Sequence, residues 1–311
     1  MQRRAGRVPS GHHHLSRLKP AEVDPLSEYG LPSKGEKRLL SPKIQESYYS
    51  KIAERYLAFC TEAGDRDGLQ KQFARLAVSD NDNNNNNNNN GGGGCSLPSP
   101  SLPRGGPLLP EKTKTTDLSH ILGALRKLRE GIVASKRKDD FAAQVYLFAI
   151  RLGILSSSPE TYHPALLYLL RFIHPARNLT SIELQEIVGY LVLDAACRRG
   201  ELAEAYALRN RHRLKDAKVD GVLRALAQDN WALWLKVKRV MDGHRVKLME
   251  FAEPQLKGHI LKAFGRSYLS VSLDFLETQT FSTWSQLLDQ FGVGWELSDG
   301  RVVIRKIQSR A

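Results

Sequence analysis

Cysteine is scarce in this chain and scattered. Three occur in 311 residues, Cys60, Cys95 and Cys197, far apart and odd in number. That excludes a disulfide framework and leaves no Cys/His pair at zinc spacing, a usage that fits a reducing compartment. Long apolar runs are also missing. The longest lies near Val145–Leu155 and Arg151 interrupts it, so no stretch reaches membrane-spanning length. Acidic residues are few relative to basic ones: 33 against 46, for a net charge of +13. Such a balance favours acidic partners, whether nucleic acid or protein, and says nothing about fold.

The motifs of common chemistries are absent as well. Gly30–Lys37 (GLPSKGEK) has the wrong spacing for a phosphate-binding loop and no following Ser or Thr. Ser267 in GRSYL lacks the second glycine of a nucleophile elbow. No HExxH is present. Glu183 and Glu186, one turn apart, read as first-turn acids that favour the helix dipole, and Cys197 reads as a packed core thiol. His12, His13 and His14 sit in a basic tail with no metal-site context. We therefore expect no enzyme, no cofactor, no metal and no small-molecule substrate.

What is present is helical periodicity. Residues 1–39 read as a disordered basic tail, with no acid before Glu22; Pro9, Gly11 and the histidines leave no apolar face for an import presequence. Residues 40–78 form an N-terminal helical segment. Ser41 and Pro42 open its first helix, Ile44, Tyr48, Ile52, Tyr56 and Phe59 form its stripe, and Gly64 stops it. A second short piece lies near Leu69–Val78. Residues 79–116 form a flexible linker containing DNDNNNNNNNNGGGG and a Pro/Ser/Gly-rich run.

A helical array is expected over 117–268. Leu118, Ile121, Leu122, Leu125, Leu128 and Ile132 make one amphipathic stripe. Asp139–Ile154 is apolar nearly all round and reads as a central buried helix. Pro159 opens the next helix, Thr180 or Ser181 caps another that ends at Gly200, and short helices continue to Tyr268. The rhythm of short helices and short turns is that of a solenoid-like array of helix pairs.

Residues 269–311 change character. Two short helices are followed by a hairpin. Ser282 is the expected cap of the second helix, whose core positions are Trp284, Leu287, Leu288 and Phe291; Trp295 follows. Asp299-Gly300 makes a tight hairpin turn, with Val302 and Ile304 on one face of the return strand and Val303 and Arg305 on the other. That order is the order of a winged helix. The expected class is all-α: a helical array capped by a C-terminal winged helix with a short β-hairpin.

Three segments carry a family resemblance. Ala225–Trp234 (ALAQDNWALW) looks like a helix in which a small-residue turn precedes an aromatic pair. Leu261–Leu276 (LKAFGRSYLSVSLDFL) is similar to a junction between array and winged helix, and Phe291–Lys306 (FGVGWELSDGRVVIRK) to a closing wing. Together they resemble the PCI superfamily over Asp117–Ile307. Two branches are similar: the small-subunit branch of the proteasome lid, the signalosome and translation initiation factor 3, and the GANP-type branch of mRNA export. The resemblance implies a non-catalytic scaffold subunit of the nucleus or cytoplasm, with other PCI-type subunits as partners. A small acidic protein or RNA is the further partner expected, and no membrane.

Two surfaces follow from that reading. Pairing through wings would use the edge of Arg301, Val303, Arg305 and Ile307. A phosphate-contacting or acidic-partner surface would use Arg198, Arg199, Arg209, Arg211, Arg213, Lys215 and Lys218, with Lys306 on the wing. Over Arg198–Lys218, seven cations stand against three acids, Glu201, Glu204 and Asp216. The alternative is a set of solvated helix ends, where cations are favoured in any case. The second helix of the C-terminal unit shows Ser285, Gln286, Asp289 and Gln290 outward, which argues against reading of DNA sequence.

Overall fold

A computed structural model of the protein describes residues 26–64 and 112–305. The short helix expected near Leu69–Val78, most of the linker, Cys95, the triple histidine, Lys306 and Ile307 lie outside the described residues. The described chain is mostly helical, with one three-stranded sheet.

The first helix, α1 (Pro42–Ala63), starts at Pro42, whose missing N–H removes one of the donors a helix start leaves unpaired. Gly64, at φ +77°, ends it. Its stripe of Tyr48, Ile52 and Phe59 is buried against α2 (Lys112–Ala134), whose Leu118, Ile121, Leu125, Leu128 and Ile132 are fully enclosed. α1 therefore belongs to the main core.

Part of the expected basic tail belongs there too. Leu26 and Leu39 are buried. Tyr48 Oη donates to the Leu26 carbonyl at 2.8 Å, and Gln45 Nε2 donates to the Leu39 carbonyl at 2.8 Å. At Gly131 in α2, an added Cβ would lie 2.8 Å from the Leu39 carbonyl oxygen, so only glycine lets this segment dock. Two leucines thirteen positions apart make no periodic signal; their burial depends on partners far along the chain.

Next comes α3 (Asp140–Leu155), capped by Asp139, whose side chain accepts from the Ala142 N–H at 3.0 Å. It is enclosed on nearly every side, as its composition predicts. α4 (Pro159–Tyr168) runs into a π turn, Leu169–Ile173. α5 (Ser181–Leu193) opens with a capping box of Thr180 and Glu183, which decides the cap in favour of Thr180, and runs into a second π turn, Asp194–Arg198. Gly200, at φ +71°, ends it. Then follow α6 (Leu202–Arg211), α7 (Ala217–Ala227), α8 (Trp231–Arg239), α9 (Gly243–Glu250) and α10 (Glu253–Ser267). Successive helices pack as antiparallel pairs, α3 with α4, α5 with α6, α7 with α8. The buried Leu248 and Met249 of α9 reach back to α3 and α5. A strictly linear solenoid has contacts between neighbours only, so this array is partly closed on itself.

The C-terminal unit has its own small core. It comprises β1 (Ser270–Ser272), α11 (Leu273–Thr280), α12 (Trp284–Phe291), β2 (Glu296–Ser298) and β3 (Arg301–Val303). Val271, Leu276, Leu287 and Val302 are buried with Leu261 and Phe264 of α10, and Trp284, Phe291 and Trp295 flank them half-buried. Leu288, expected in this core, is 39% exposed. The cap of α12 is Thr283, boxed with Gln286; Ser282 is buried and accepts from Lys257 Nζ at 2.9 Å. Asp299 (φ +50°) and Gly300 (φ +72°) form the two-residue turn, with both central residues left-handed as its primed type requires. β1 was not foreseen. It pairs antiparallel with β3, which becomes the middle strand in the order β1-β3-β2. The unit hangs on the array through the Trp231 indole N–H, which donates to the Gln279 carbonyl.

Gly131→Ala should cost about 1–3 kcal/mol of unfolding free energy, because the new methyl meets backbone with nowhere to move. Amide exchange over residues 26–40 should accelerate more than exchange in α3. Unchanged protection there would show that the segment is held by something other than this contact.

Candidate interaction surfaces

The expected basic cluster divides into two groups, and a buried carboxylate divides it. Asp194, in the second π turn, is completely enclosed. Arg198 grips it with Nε at 2.6 Å and Nη2 at 2.8 Å, and Tyr162 Oη donates at 2.7 Å. His163 Nδ1 lies 3.1 Å away without hydrogen-bond geometry, and Arg199 Nε lies at 3.6 Å. Asp194 and Arg198, four residues apart, lie on one face, and the wide turn is closed by the Arg199 N–H to the Asp194 carbonyl at 3.2 Å. Burial by itself raises the Asp194 carboxyl, but the hydrogen bonds from Arg198 and Tyr162 outweigh it and leave the pKa below the ordinary 3.8. Burial, and then the neighbouring carboxylate, push the Tyr162 phenol well up.

Arg199 turns its other side to α6. It pairs with Glu201 and, at 2.6 Å, with Glu204, which it pulls down to about 2. Arg209 is bidentate on Asp220, Nη2 to Oδ2 at 2.7 Å. Lys218 Nζ donates to the Val240 carbonyl at 2.6 Å. Four of the seven predicted cations are thus engaged within the fold, and Arg198, Arg199 and Arg209 are poor candidates for phosphate. Charge counting over Arg198–Lys218 could not reveal this, because Asp194 and Asp220 lie just outside that stretch and only folding shows which cation each one takes.

Arg211, Arg213 and Lys215 differ. All three are exposed and none has an ion pair among the described residues. They stand on the last turn of α6 and its connection to α7, where Arg213 is left-handed at φ +50°. The Lys215 N–H donates to Gln185 Oε1 at 3.0 Å, fixing this connection against the start of α5.

The expected wing edge also changes. Arg301, Val303 and Arg305 lie on or beside the middle strand, so they offer no free strand edge. Arg301 Nη2 donates to Ser270 Oγ at 3.2 Å, and Arg305 donates to the Arg266 carbonyl. The outer strands are β1 and β2. All of β2 is exposed, including Leu297 at 44%. Its Ser298↔Arg301 pair closes a two-residue turn, where both bonds are exchanged; the next pair, Leu297↔Val302, then directs the Leu297 N–H and carbonyl outward. Around β1, across β3 from β2, Tyr268, Leu269 and Phe275 are also exposed, with Phe264 stacked on Tyr268 at 5.3 Å and edge-on to Phe275 at 5.9 Å.

No group of metal-ligating side chains occurs among the described residues, and no described helix is long and apolar enough to cross a membrane. No protein-family model and no curated protein matches the chain.

Asp194→Asn should cost about 3 kcal/mol, because it leaves the Arg198 and Tyr162 donors facing a neutral group. The folded pKa of Asp194 is depressed, so its contribution is full above the unfolded value and is lost as pH falls through the folded one. Denaturant unfolding at about pH 7 and about pH 3 should therefore show a gap between wild type and Asp194→Asn that is smaller at the lower pH. Curves separated equally at both would remove the carboxylate from the account.

Proposed function

We propose that this protein is a non-catalytic assembly subunit of the PCI kind, docking into a multisubunit complex of proteasome-lid, signalosome, translation-initiation or mRNA-processing type, in the nucleus or cytoplasm. Two features of the architecture support the reading. Antiparallel helix pairs lead directly into a unit ordered strand–helix–helix–strand–strand, the order of a winged helix. That unit ends in a short sheet with an outward-facing strand.

The observation that carries the proposal is β2. An exposed edge strand with an unpaired N–H and carbonyl at Leu297, and an exposed leucine side chain between them, is a template for strand addition by a partner. The exposed Tyr268 and Leu269 lead into β1, across β3 from β2, and with Phe275 add a separate apolar surface to the unit. Relative to the expectation from sequence, the docking strand moves from β3 to β2.

Tagged full-length chain purified from native extract at low and high salt, with nuclease treatment, should retain stoichiometric protein partners in mass spectrometry. Leu297→Pro removes the outward N–H and spares the hairpin bonds, so it should release those partners while circular dichroism stays unchanged. Absence of any stoichiometric partner would defeat the assembly reading. Partners retained by Leu297→Pro would defeat β2 as the docking strand.

A further inference from the structure

Antiparallel packing brings three helix termini to one end of the array. The last turn of α4, the first turn of α5 and the last turn of α6 are neighbours there, because α6 runs back along α5 and the Lys215 N–H bonds to Gln185 of α5. This end carries an aromatic ladder. Tyr146 stacks on Tyr168 at 5.0 Å and 20°, and Tyr168 contacts Phe172 at 4.9 Å and 33°. Phe172 lies in the π turn that closes α4 and is 49% exposed, so one side of its ring is held by Tyr168 and the other is open. π turns of this kind often re-aim a side chain for a purpose other than packing.

The same end carries unbalanced positive charge. Arg171, beside Phe172, is exposed and has no ion pair among the described residues, like Arg211, Arg213 and Lys215. The acids of this end are all occupied. Glu183 closes the α5 capping box, Glu186 holds Arg151, Asp140 holds Arg177, and Asp216 holds Arg245 while capping α7. The α4 and α6 ends are close: burial, then Arg211, then His174, two residues beyond Phe172, hold the His212 pKa below its ordinary value.

We propose that this end of the array binds single-stranded RNA, with a base stacked on Phe172 and phosphates held by Arg171, Arg211, Arg213 and Lys215. A flat aromatic face suits an unstacked base, and unpaired cations with no competing carboxylate suit a phosphate chain. A duplex would offer neither a free base face nor a reason for Phe172 to be exposed. The proposal does not rest on the assembly reading: it uses different residues, and Leu297→Pro should leave RNA binding unaltered.

The test is fluorescence anisotropy of full-length protein with a labelled single-stranded oligouridylate and oligoadenylate of about 20 nucleotides, titrated over a salt series. The triple reversal Arg211→Glu/Arg213→Glu/Lys215→Glu should weaken binding at least about tenfold and flatten the log–log salt slope by about 2. Phe172→Ala should weaken it by on the order of tenfold with the salt slope unchanged, since stacking releases no counterions. Lys236→Glu/Arg239→Glu, two exposed cations of α8, should change affinity less than about twofold. Equal weakening by the α8 control and the triple reversal would reduce the site to general charge and overturn the proposal, as would wild-type affinity in Phe172→Ala. Displacement of the RNA by a polyglutamate peptide at matched charge would overturn it too, in favour of an acidic protein partner.

Discussion

A carboxylate with no access to water is tolerated only when cations and donors replace its hydration, and in this protein Asp194 sets that condition at the centre of the array. It is met by Tyr162 from α4 and Arg198 from its own π turn, which donate to it, with Arg199 one residue further adding its charge at 3.6 Å. Arg199 in turn holds two acids at the start of α6. Three helices are thereby keyed to one point. Apolar stripes alone would tolerate some sliding of one helix along another; a charge that must meet its partners within hydrogen-bond distance tolerates little.

The same principle governs the outer charges. The chain is strongly basic, yet folding engages many of its cations internally. Arg137 bridges Glu46 and Asp139, Arg151 holds Glu186, Arg209 holds Asp220, and Lys238 holds Glu253. What remains uncompensated is local. The α4–α6 end keeps four cations without ion pairs and an open aromatic ring, and the C-terminal unit keeps a bare strand edge and, across its sheet, exposed apolar residues. Both lie at the ends of elements, where backbone and side chains are least used by the core. An assembly role and an RNA-contacting role can therefore coexist, because they draw on separate parts of the surface.

Within the C-terminal unit, the turn that faces the array is strained. Phe281, between α11 and α12, is left-handed at φ 49° and ψ 39°, a conformation that costs a non-glycine residue roughly 1–2 kcal/mol. It is also 53% exposed, at a cleft it shares with Trp231 and Leu235. The indole of Trp231 holds the neighbouring Gln279 carbonyl, and Ser282 accepts from Lys257, so the strained turn is clamped on both sides. Position and orientation of the small sheet depend on these two bonds and on Leu261 and Phe264, which α10 contributes to its core.

Most of the helices could be read directly. The stripe from Leu118 to Ile132, the enclosed composition of α3, Gly64 and Gly200 as stops, and the Asp299-Gly300 turn all express rules that act within one or two turns of chain. The two docked leucines, Leu26 and Leu39, could not be read, nor the three-residue β1, nor the exposure of Leu288. Neither could the division of the arginines into Arg198, Arg199 and Arg209, which are held, and Arg211 and Arg213, which are free. Sequence by itself determined where helices form and which face of each is apolar, because hydrogen bonding and periodicity are local. Only tertiary structure decided which charges neutralise each other and which strand lies at the edge. Arg209 meets Asp220 because α6 packs on α7, and β1 meets β3 across two intervening helices; packing between elements, which local rules do not specify, sets those contacts.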